Sequence, residues 1–465
     1  MHIRRRPSWI RTLAAPLLAT SLLTACVPGM STGVRADAAA QGPVVTRPGA
    51  IGPARIRVLD YFGGGPDKAW MIGVIKAFEK KYPQISVSET TQGFDDIMKS
   101  LPLKLRSGSP PDIVPANNGW QSLGTLVRGN LVLDLDRYAD AYGWKKSFPA
   151  SIQREHAFTP DAREMGTGRL FGTPISRGSI IEVYYNRALL KKVGAQVPRT
   201  FGEFESTLAK AKAAGITPVS LGNVEGNGIL SGLFALTDAL GDQEKIADFT
   251  YSHGNVPLRE TGFREAVTTF KRWSDRGYLT KDYASIPYAD AMQSYLDGKE
   301  LFRFEYSGTL PTKPGDGDRF GSFVLPRADG GAPVATMSAA SNFSITAKTK
   351  HPDAAAAFLN FAASPEAARI AVEAGAMPML STPRLPAGHE KLTADEVANV
   401  AQVEKDDTAV PYMDWATPTL VSTMTQHMQD LLADKTSVTG VVNATQDDYA
   451  KFRKEQRAQK ARQRR

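Results

Sequence analysis

Cysteine is almost absent from this 465-residue chain, and its one cysteine, Cys26, excludes an intramolecular disulfide. No two of the six histidines stand four residues apart, so their spacing predicts no metal site. The sequence also has no Gly-x-Ser-x-Gly elbow, no Walker loop and no complete dinucleotide fingerprint. Asp316 and Asp318 lack the rest of a twelve-residue calcium loop. We therefore expect no metal and no cofactor.

Long apolar runs are equally scarce. Beyond residue 26 no run of about 18 apolar residues occurs, so no membrane-spanning helix is predicted there. Near the start, three arginines precede the mostly apolar stretch 10–23, and two small residues stand directly before Cys26. This pattern is typical of a signal peptide, which we assign to residues 1–25. The Sec and twin-arginine export routes both stay open, because the residues after the arginines suit a twin-arginine motif poorly.

Acidic residues are outnumbered, and the formal net charge is +8, but the excess is confined to the two ends of the chain. Residues 1–26 carry +4 and residues 451–465 carry +7, which leaves −3 for residues 27–450. This distribution excludes nucleic acid as the implied partner. We expect residues 451–465 to form a solvated, frayed basic tail, with an anionic envelope surface as a weak partner.

The length allows two or three ordinary domains, and 42% hydrophobic residues are sufficient for their cores. Residues 26–52 are mostly Gly, Pro, Ala, Thr and Ser without periodicity, which predicts a flexible tether. From Ile56 onward, short β-branched segments alternate with helical patterns, for example at 56–62, 70–78 and 85–89. This alternation favours an α/β fold with a parallel sheet.

The segment 168–214 has the clearest local pattern. Strands are predicted at 170–174 and 180–185 from their apolar, β-branched and aromatic composition. Asn186 is placed to cap the next helix, and Thr200 begins a four-residue capping box for the helix after that. The local prediction is therefore strand, loop, strand, helix and helix.

The run GTPISRGSIIEVYYNRALLKKVG, with PRTFGEFESTLAKAKAAGITPV after it, closely resembles the crossover segment of a known family. That family is the bacterial extracellular solute-binding proteins, family 1, which serve carbohydrate importers of the ATP-binding-cassette (ABC) type. The runs VIKAFEKKYPQISV, PPDIV, LVRGNLVLDLD and SITAKTKHPDAAAAFLNFAASPEAA resemble other parts of the family in the same order. The resemblance covers about residues 55–449, and the order and spacing of these runs make it specific.

The resemblance implies a two-lobed, periplasmic-binding-protein-like (type II) α/β fold with a hinge and an interlobe cleft. Lobe 1 would comprise residues 53–172, with approximately 284–312 returning to it, and lobe 2 would comprise 173–283 and 313–450. The implied function is capture of a sugar or oligosaccharide by hinge closure and its delivery to ABC permease subunits. The protein would act as a monomer, without a cofactor and without catalysis.

The tetrapeptide that ends in Cys26, Leu-Thr-Ala-Cys, resembles the lipobox of bacterial lipoproteins. This resemblance implies cleavage before Cys26 and diacylation of that residue. Two acyl chains hold a protein at a membrane far more firmly than one chain does, so we expect a lipid anchor on the extracytoplasmic face of the cell membrane. A buried core cysteine is the alternative, but the surrounding residues have no strand or helix pattern.

A sugar site needs flat aromatic side chains against the C–H faces of the sugar and amide, carboxylate or arginine groups for its hydroxyls. In open α/β sheets such residues lie in loops at the carboxyl ends of strands. The candidates that meet this condition or match a ligand-contacting position of the family are Phe62, Asn117, Asn118, Trp120, Ser176, Arg177, Asn223, Glu305, Tyr306, Tyr412 and Trp415.

Two groups of these candidates, one in lobe 1 and one in the crossover, could have a structural role and not a ligand contact. Asn117 and Asn118 could form an Asx turn, with Trp120 as a staple of the helix that follows. Arg177 could instead form a surface salt bridge, which contributes little stability. These alternatives stay open from the sequence.

The candidates from lobe 2 carry a similar ambiguity. Glu305 and Tyr306 stand where relatives usually have a Gly-x-Trp motif, so a tyrosine replaces the expected tryptophan. Tyr412 and Trp415 resemble a late aromatic contribution to the family's site, but they could also close a core, since tryptophan is mostly buried in either case.

Three other functions compete with sugar capture. A binding protein for another small polar solute is the nearest alternative. An extracellular carbohydrate-active enzyme would need two facing carboxylates, for which Asp112, Glu182 and Glu305 are candidates that the sequence cannot bring together. An envelope interaction protein with a vestigial cleft is the third alternative.

Overall fold

The computed structural model describes residues 43–175, 179–226, 228–254, 256–311, 315–338, 342–376 and 391–463. Cys26, Ser176 and Arg177 lie outside the described residues, as do the predicted signal peptide and most of the tether. The strands, numbered along the chain, are β1 (Ala54–Asp60), β2 (Ile85–Thr91), β3 (Ile113–Pro115), β4 (Ala157–Phe158), β5 (Arg169–Leu170), β6 (Thr173–Pro174), β7 (Ser179–Asn186), β8 (Thr217–Ser220), β9 (Glu300–Tyr306), β10 (Phe320–Phe323), β11 (Ala335–Ser338), β12 (Asn342–Ile345) and β13 (Ala409–Val410).

Helices connect and cover these strands. They are α1 (Gly65–Lys81), α2 (Phe94–Arg106), α3 (Leu123–Arg128), α4 (Asp136–Tyr142), α5 (Trp144–Ser147), α6 (Ala150–Glu155), α7 (Arg187–Lys192), α8 (Phe201–Ala213), α9 (Gly228–Leu240), α10 (Gln243–Tyr251), α11 (Phe263–Asp275), α12 (Tyr288–Leu296), α13 (Pro352–Ala362), α14 (Pro365–Ala374), α15 (Lys391–Asp406), α16 (Leu420–Leu432) and α17 (Val438–Gln463). None of the helices in the described part of the chain combines the length and apolarity of a membrane span.

The first sheet has the strand order β2-β1-β3-β12-β6. β1 runs parallel to β2 and β3, as the strand–helix alternation predicts, whereas β12 is antiparallel to β3 and β6. Helices α1, α13 and α14 pack together on this unit. Trp70 of α1 is buried in its core, and its indole N–H donates to the Ala367 carbonyl.

The second sheet has the order β13-β11-β7-β9-β8, with β10 also paired to β7. β7 is the central strand, and its residues alternate between two environments. Ile181, Val183 and Tyr185 belong to the large apolar cluster. Tyr184, on the other face, packs in a smaller cluster that includes Leu392 of α15. Both faces of β7 are therefore covered, which explains its almost continuous run of large side chains.

The strand pairing corrects two predicted lobe limits. The assignment of 284–312 to lobe 1 is wrong, because β9 lies between β7 and β8 in the second sheet. The assignment of all of 313–450 to lobe 2 is also wrong, because β12 lies in the first sheet and α13 packs against it. The composition of a strand specifies how well it fits a sheet and leaves open which sheet it joins.

The chain passes from the first sheet to the second after β6 and returns to the first sheet after β11. It passes to the second unit again after α14, where α15 packs on β10. The first two passages connect β6 to β7 and β11 to β12. The two lobes are thus discontinuous in sequence.

The central local predictions agree with the structure, except for the strand at 170–174. The Asn186 side chain accepts a hydrogen bond from the Leu189 amide at 3.0 Å, which confirms the cap of α7. Thr200 accepts from the Glu203 amide at 3.1 Å, which confirms the cap of α8. The predicted strand at 170–174 is instead divided into β5 and β6, which pair with different partners.

The basic end of the chain differs from the expected frayed tail. Residues 451–463 continue α17 as a regular helix. Phe452 and Gln456 of this part are buried, so tertiary contacts support the helix that its charge alone would not predict.

Candidate functional site

Two loops from different lobes contact each other through a backbone hydrogen bond. The loop after β3 contains Gly119 and Trp120, and the turn after β13 contains Trp415. The Trp120 amide donates to the Trp415 carbonyl at 3.1 Å. Gly119 has φ of 86°, and a Cβ at this position would lie 2.6 Å from the Trp415 Cβ. Only glycine therefore allows this approach, and the contact brings together residues that are almost 300 positions apart.

Three aromatic side chains of lobe 2 form a continuous group, which we call the aromatic wall: Tyr306, Tyr412 and Trp415. The ring centroids are 6.3 Å apart for Tyr306 and Tyr412, and 5.2 Å apart for Tyr412 and Trp415. Phe234 of α9 supports Tyr412 edge-on at 5.6 Å. Tyr306 is half-buried, whereas Trp415 is only 2% exposed. Such planar, rigid rings are suited to cover an apolar ligand face.

Asp414 is a buried acid within the aromatic wall. The residue is 8% exposed, and its Oδ1 has no hydrogen-bond partner among the described residues. Burial raises the pKa of Asp414 to about 7, against a smaller opposing effect of its own backbone amide. A carboxylate in this position is strained by desolvation, and a hydroxyl group that donates to it would relieve that cost.

The first-lobe side of the site contains a buried polar network around Asn118. Its Oδ1 accepts from Asn342 Nδ2 at 2.8 Å, and its Nδ2 donates to Glu155 Oε2 at 2.8 Å. His156 Nδ1 lies 3.2 Å from the same Oδ1 and must be the protonated nitrogen, because an amide oxygen only accepts. Gly172 packs against this network, since a Cβ there would lie 2.0 Å from Asn342 Oδ1.

The network keeps buried atoms that the described part of the chain leaves without a hydrogen bond. They include His156 Nε2 and Asn342 Oδ1. Burial lowers the pKa of His156 to about 3, so the imidazole is neutral at physiological pH and Nε2 is an acceptor. An unpaired buried polar atom costs about 1–3 kcal/mol, and such atoms concentrate where a guest or water completes the bonding.

The network also lies close to the aromatic wall. The carboxylate of Glu155 acts electrostatically on Tyr412, and it contributes after burial and after Tyr306 and Asp414 to the raised pKa of that phenol. Asn118 is two residues before Trp120, whose amide binds the Trp415 carbonyl. Polar groups of one lobe and aromatic rings of the other therefore share one neighbourhood.

Two predicted residues of lobe 1 have their side chains in structural roles. Phe62 is buried in the core of the first unit, edge-on to Trp70 at 5.6 Å. Trp120 is 1% exposed, with the Arg128 guanidinium 4.3 Å from the centre of its ring. Phe158 packs edge-on against the same indole at 5.1 Å. The Trp120 ring thus acts as the helix staple and packs in the core, whereas its backbone amide makes the hydrogen bond to Trp415.

Asn117 and Asn223 serve their own loops. Asn117 Oδ1 accepts from the Asn118 amide at 3.0 Å, a local bond within the loop. Asn223 Oδ1 accepts from the Ile229 amide at 3.3 Å and so fixes the start of α9. Neither contact involves the aromatic wall.

Glu305 forms a buried ion pair behind Tyr306. Its side chain is 1% exposed, and its Oε2 lies 3.0 Å from Arg303 Nη2. The Tyr288 hydroxyl donates to the same oxygen, and the Tyr306 amide donates to Oε1 at 3.1 Å. Both carboxylate oxygens are therefore occupied by protein groups, and Glu305 positions Tyr306 through its backbone.

Sequence reasoning did not single out Glu155, His156, Asn342 or Asp414. Asp414 lies inside the predicted run 411–415, so its position between two aromatic residues was the available signal. The other three have no local signal, because their role arises only from contacts with Asn118. No cluster of three or more His, Cys, Asp or Glu side chains that could hold a metal occurs within the described ranges.

Comparison with known proteins places this site in context. Residues 63–369 match the family model of the bacterial extracellular solute-binding protein. A multiple sugar-binding protein of Streptococcus mutans is 24% identical over 314 residues, which is 65% of this chain and 70% of that protein. An uncharacterized ABC transporter extracellular-binding protein of Pyrococcus horikoshii is 21% identical over 326 residues, 67% of this chain and 68% of that protein.

Solved structures show the same fold. A chitin oligosaccharide binding protein superimposes with a TM-score of 0.70 at 20% identity, covering 86% of this chain and 98% of the other. The family match extends over more than half of the chain and includes every strand of the first sheet except β1, the central crossover and most strands of the second sheet. On these grounds the chain belongs to the bacterial extracellular solute-binding protein family.

Proposed function

We propose that this protein captures a carbohydrate between its lobes as the binding component of an ABC importer. One observation carries the proposal: the carbonyl of Trp415 in the aromatic wall accepts from the Trp120 amide, two residues after Asn118 of the polar network in the other lobe. Aromatic rings cover the C–H faces of a sugar, and carboxylate, amide and imidazole groups meet its hydroxyls. The relatives named as sugar-binding proteins support the same class of ligand.

The proposed contacts follow from the available atoms. Tyr306, Tyr412 and Trp415 would stack on the sugar, and Asp414 would accept from a hydroxyl. His156 Nε2 would accept from another hydroxyl on the first-lobe side. Ser176 and Arg177 stay proposed ligand contacts on the resemblance to the family. We propose structural roles for Phe62, Asn117, Trp120, Asn223 and Glu305, since their contacts described above are with the protein itself.

Capture would proceed by closure of the lobes. A ligand that touches both lobes favours the closed arrangement over the open one. A micromolar site provides about 8 kcal/mol, which is sufficient to shift an equilibrium that differs by a few kcal/mol. Gly119 and Trp415 would then come into contact when the lobes close and move apart when they open. The permease would recognise the closed arrangement.

The location follows from the family, which is extracellular, so the protein acts on the extracytoplasmic side. We further propose that Cys26 carries the lipid anchor, that the protein is a monomer, and that the partners are ABC permease subunits. Labelling with a fatty-acid analogue would test the anchor, since Cys26→Ser is expected to abolish the label.

A thermal-shift panel of mono- and oligosaccharides tests the ligand class. A ligand at about 100 times its dissociation constant adds about 2.7 kcal/mol of stability. Trp415→Leu should weaken the response by at least about tenfold in affinity, whereas Tyr306→Phe keeps its ring and should retain most of it. A response only to other polar solutes would redirect the ligand class. Release of reducing ends from a bound sugar would contradict a binding protein and favour an enzyme.

A further inference from the structure

The C-terminal part of α17 has one face buried against the protein. Tyr449, Phe452 and Gln456 are buried and follow the three- and four-residue spacing of one helix face. Phe452 packs edge-on against the Trp120 ring at 5.4 Å, and Gln456 Nε2 donates to the Arg163 carbonyl at 3.1 Å. This part of the helix is therefore held in a fixed orientation.

The opposite face is basic. Lys451, Lys454 and Arg457 are exposed and lie away from the buried positions. Glu455 is the one acid between residues 451 and 465, which contain eight Lys and Arg residues. Glu455 is exposed as well, and its charge also acts on Arg128 of α3, whose guanidinium lies 5.1 Å from the centre of the Phe452 ring. We call Lys451, Lys454 and Arg457 the basic face.

The composition of the basic face indicates the kind of partner. The apolar residues at 451–458 are Phe452, which is buried, and the small Ala458. Protein–protein interfaces are depleted in Lys and use aromatic or aliphatic anchors, none of which is exposed on this stretch. A partner of high negative charge density would suit it better. The extracellular location of the family disfavours nucleic acid.

We propose that the basic face of α17 binds the anionic phospholipid headgroups of the membrane surface. Each exposed Lys or Arg near such a surface strengthens binding by about fivefold, so three of them give about 100-fold. Tyr449 stacks on Phe249 of lobe 2 at 4.2 Å, whereas Phe452 contacts Trp120 of lobe 1. In the arrangement of this structure, docking through the helix therefore orients both lobes relative to the bilayer, independently of which solute the cleft takes.

Vesicle partitioning tests the proposal. The parent and all variants carry Cys26→Ser, so acyl chains do not contribute to vesicle binding. The leader is the same in all of these proteins. Binding is compared between vesicles of phosphatidylcholine alone and vesicles that also contain phosphatidylglycerol. In the triple variant Lys451→Gln, Lys454→Gln and Arg457→Gln, the preference for the anionic vesicles should be about 100-fold lower than in the parent.

A matched control removes the same charge elsewhere. Lys191, Lys192 and Lys210 are exposed on α7 and α8, and their replacement by Gln should change the preference by less than about threefold. Equal losses in both triple variants would overturn the proposal in favour of a net-charge effect. No preference of the parent for anionic vesicles, or tighter binding to duplex DNA at the same ionic strength, would overturn it as well. Unchanged thermal unfolding of the variants confirms that the fold is intact.

Discussion

Replacing Asp414 by Asn is expected to stabilise the protein while it weakens ligand binding. Asp414 has a pKa of about 7 in the folded protein, whereas an unfolded aspartate has a pKa of about 3.8. Between these two values the folded state holds a proton that the unfolded state has released. Stability therefore falls as pH rises from about 4 to about 7, and it stays lowered above pH 7.

The size of this effect follows from the two pKa values. A difference of about three pKa units at 1.36 kcal/mol per unit corresponds to about 4 kcal/mol at alkaline pH, as an upper bound. Asn has nearly the same shape and no charge, so Asp414→Asn removes this cost. We expect the variant to exceed the parent by up to about 4 kcal/mol at pH 8 and by little at pH 4.

Urea unfolding at pH 4, 6 and 8 measures the difference, and calorimetric titration with the sugar found in the panel measures affinity. A carboxylate that accepts from a ligand hydroxyl contributes about 1.5–3 kcal/mol, so affinity should fall by about tenfold or more. The control Asp447→Asn removes an exposed carboxylate and should change stability little at any pH. A stability gain that does not depend on pH would refute the assigned titration, and unchanged affinity would remove Asp414 from the site.

Three further substitutions test the surroundings of the site. Asn118→Ala leaves its buried partners unpaired and should lower the free energy of unfolding by about 1–3 kcal/mol or more in urea, whereas an unchanged midpoint would contradict the network. Gly119→Ala places a Cβ 2.6 Å from the Trp415 Cβ at positive φ, so the ligand affinity measured by calorimetry should fall. A conservative change elsewhere in the loop should be tolerated. Glu305→Ala leaves Arg303 as an unpaired buried charge and should cost about 3–5 kcal/mol in thermal unfolding; a loss below about 1 kcal/mol would show that the ion pair is replaceable by solvent.

Much of the local structure could be predicted from the sequence. The caps of α7 and α8 depend on residues a few positions apart, so a short window contains the necessary information. The order of the family runs was equally readable, and it led to the correct fold. The split of the 170–174 strand was not readable, because β5 and β6 differ in their partners rather than in composition.

The site was predictable only in part. Tyr306 is the last residue of β9, whereas Tyr412 and Trp415 follow β13. The three share one neighbourhood because the carboxyl ends of these strands converge there. Phe62, Trp120 and Glu305 satisfied the same positional test, yet their side chains are held by Trp70, by Arg128 and by Arg303. Position in a loop therefore does not tell whether a side chain faces a cleft or the core beneath it.

The sequence by itself determined the α/β class, the helix caps and the family, since each of these depends on neighbouring residues or on their linear order. Tertiary structure alone decided that β9 joins the second sheet, that Glu305 is buried in an ion pair, and that Asp414 Oδ1 is buried without a hydrogen bond from the described part of the chain. The bond between Asn118 and Asn342 joins residues 224 positions apart. Contacts of that range depend on how whole lobes pack, and burial then sets the charge and the availability of each side chain.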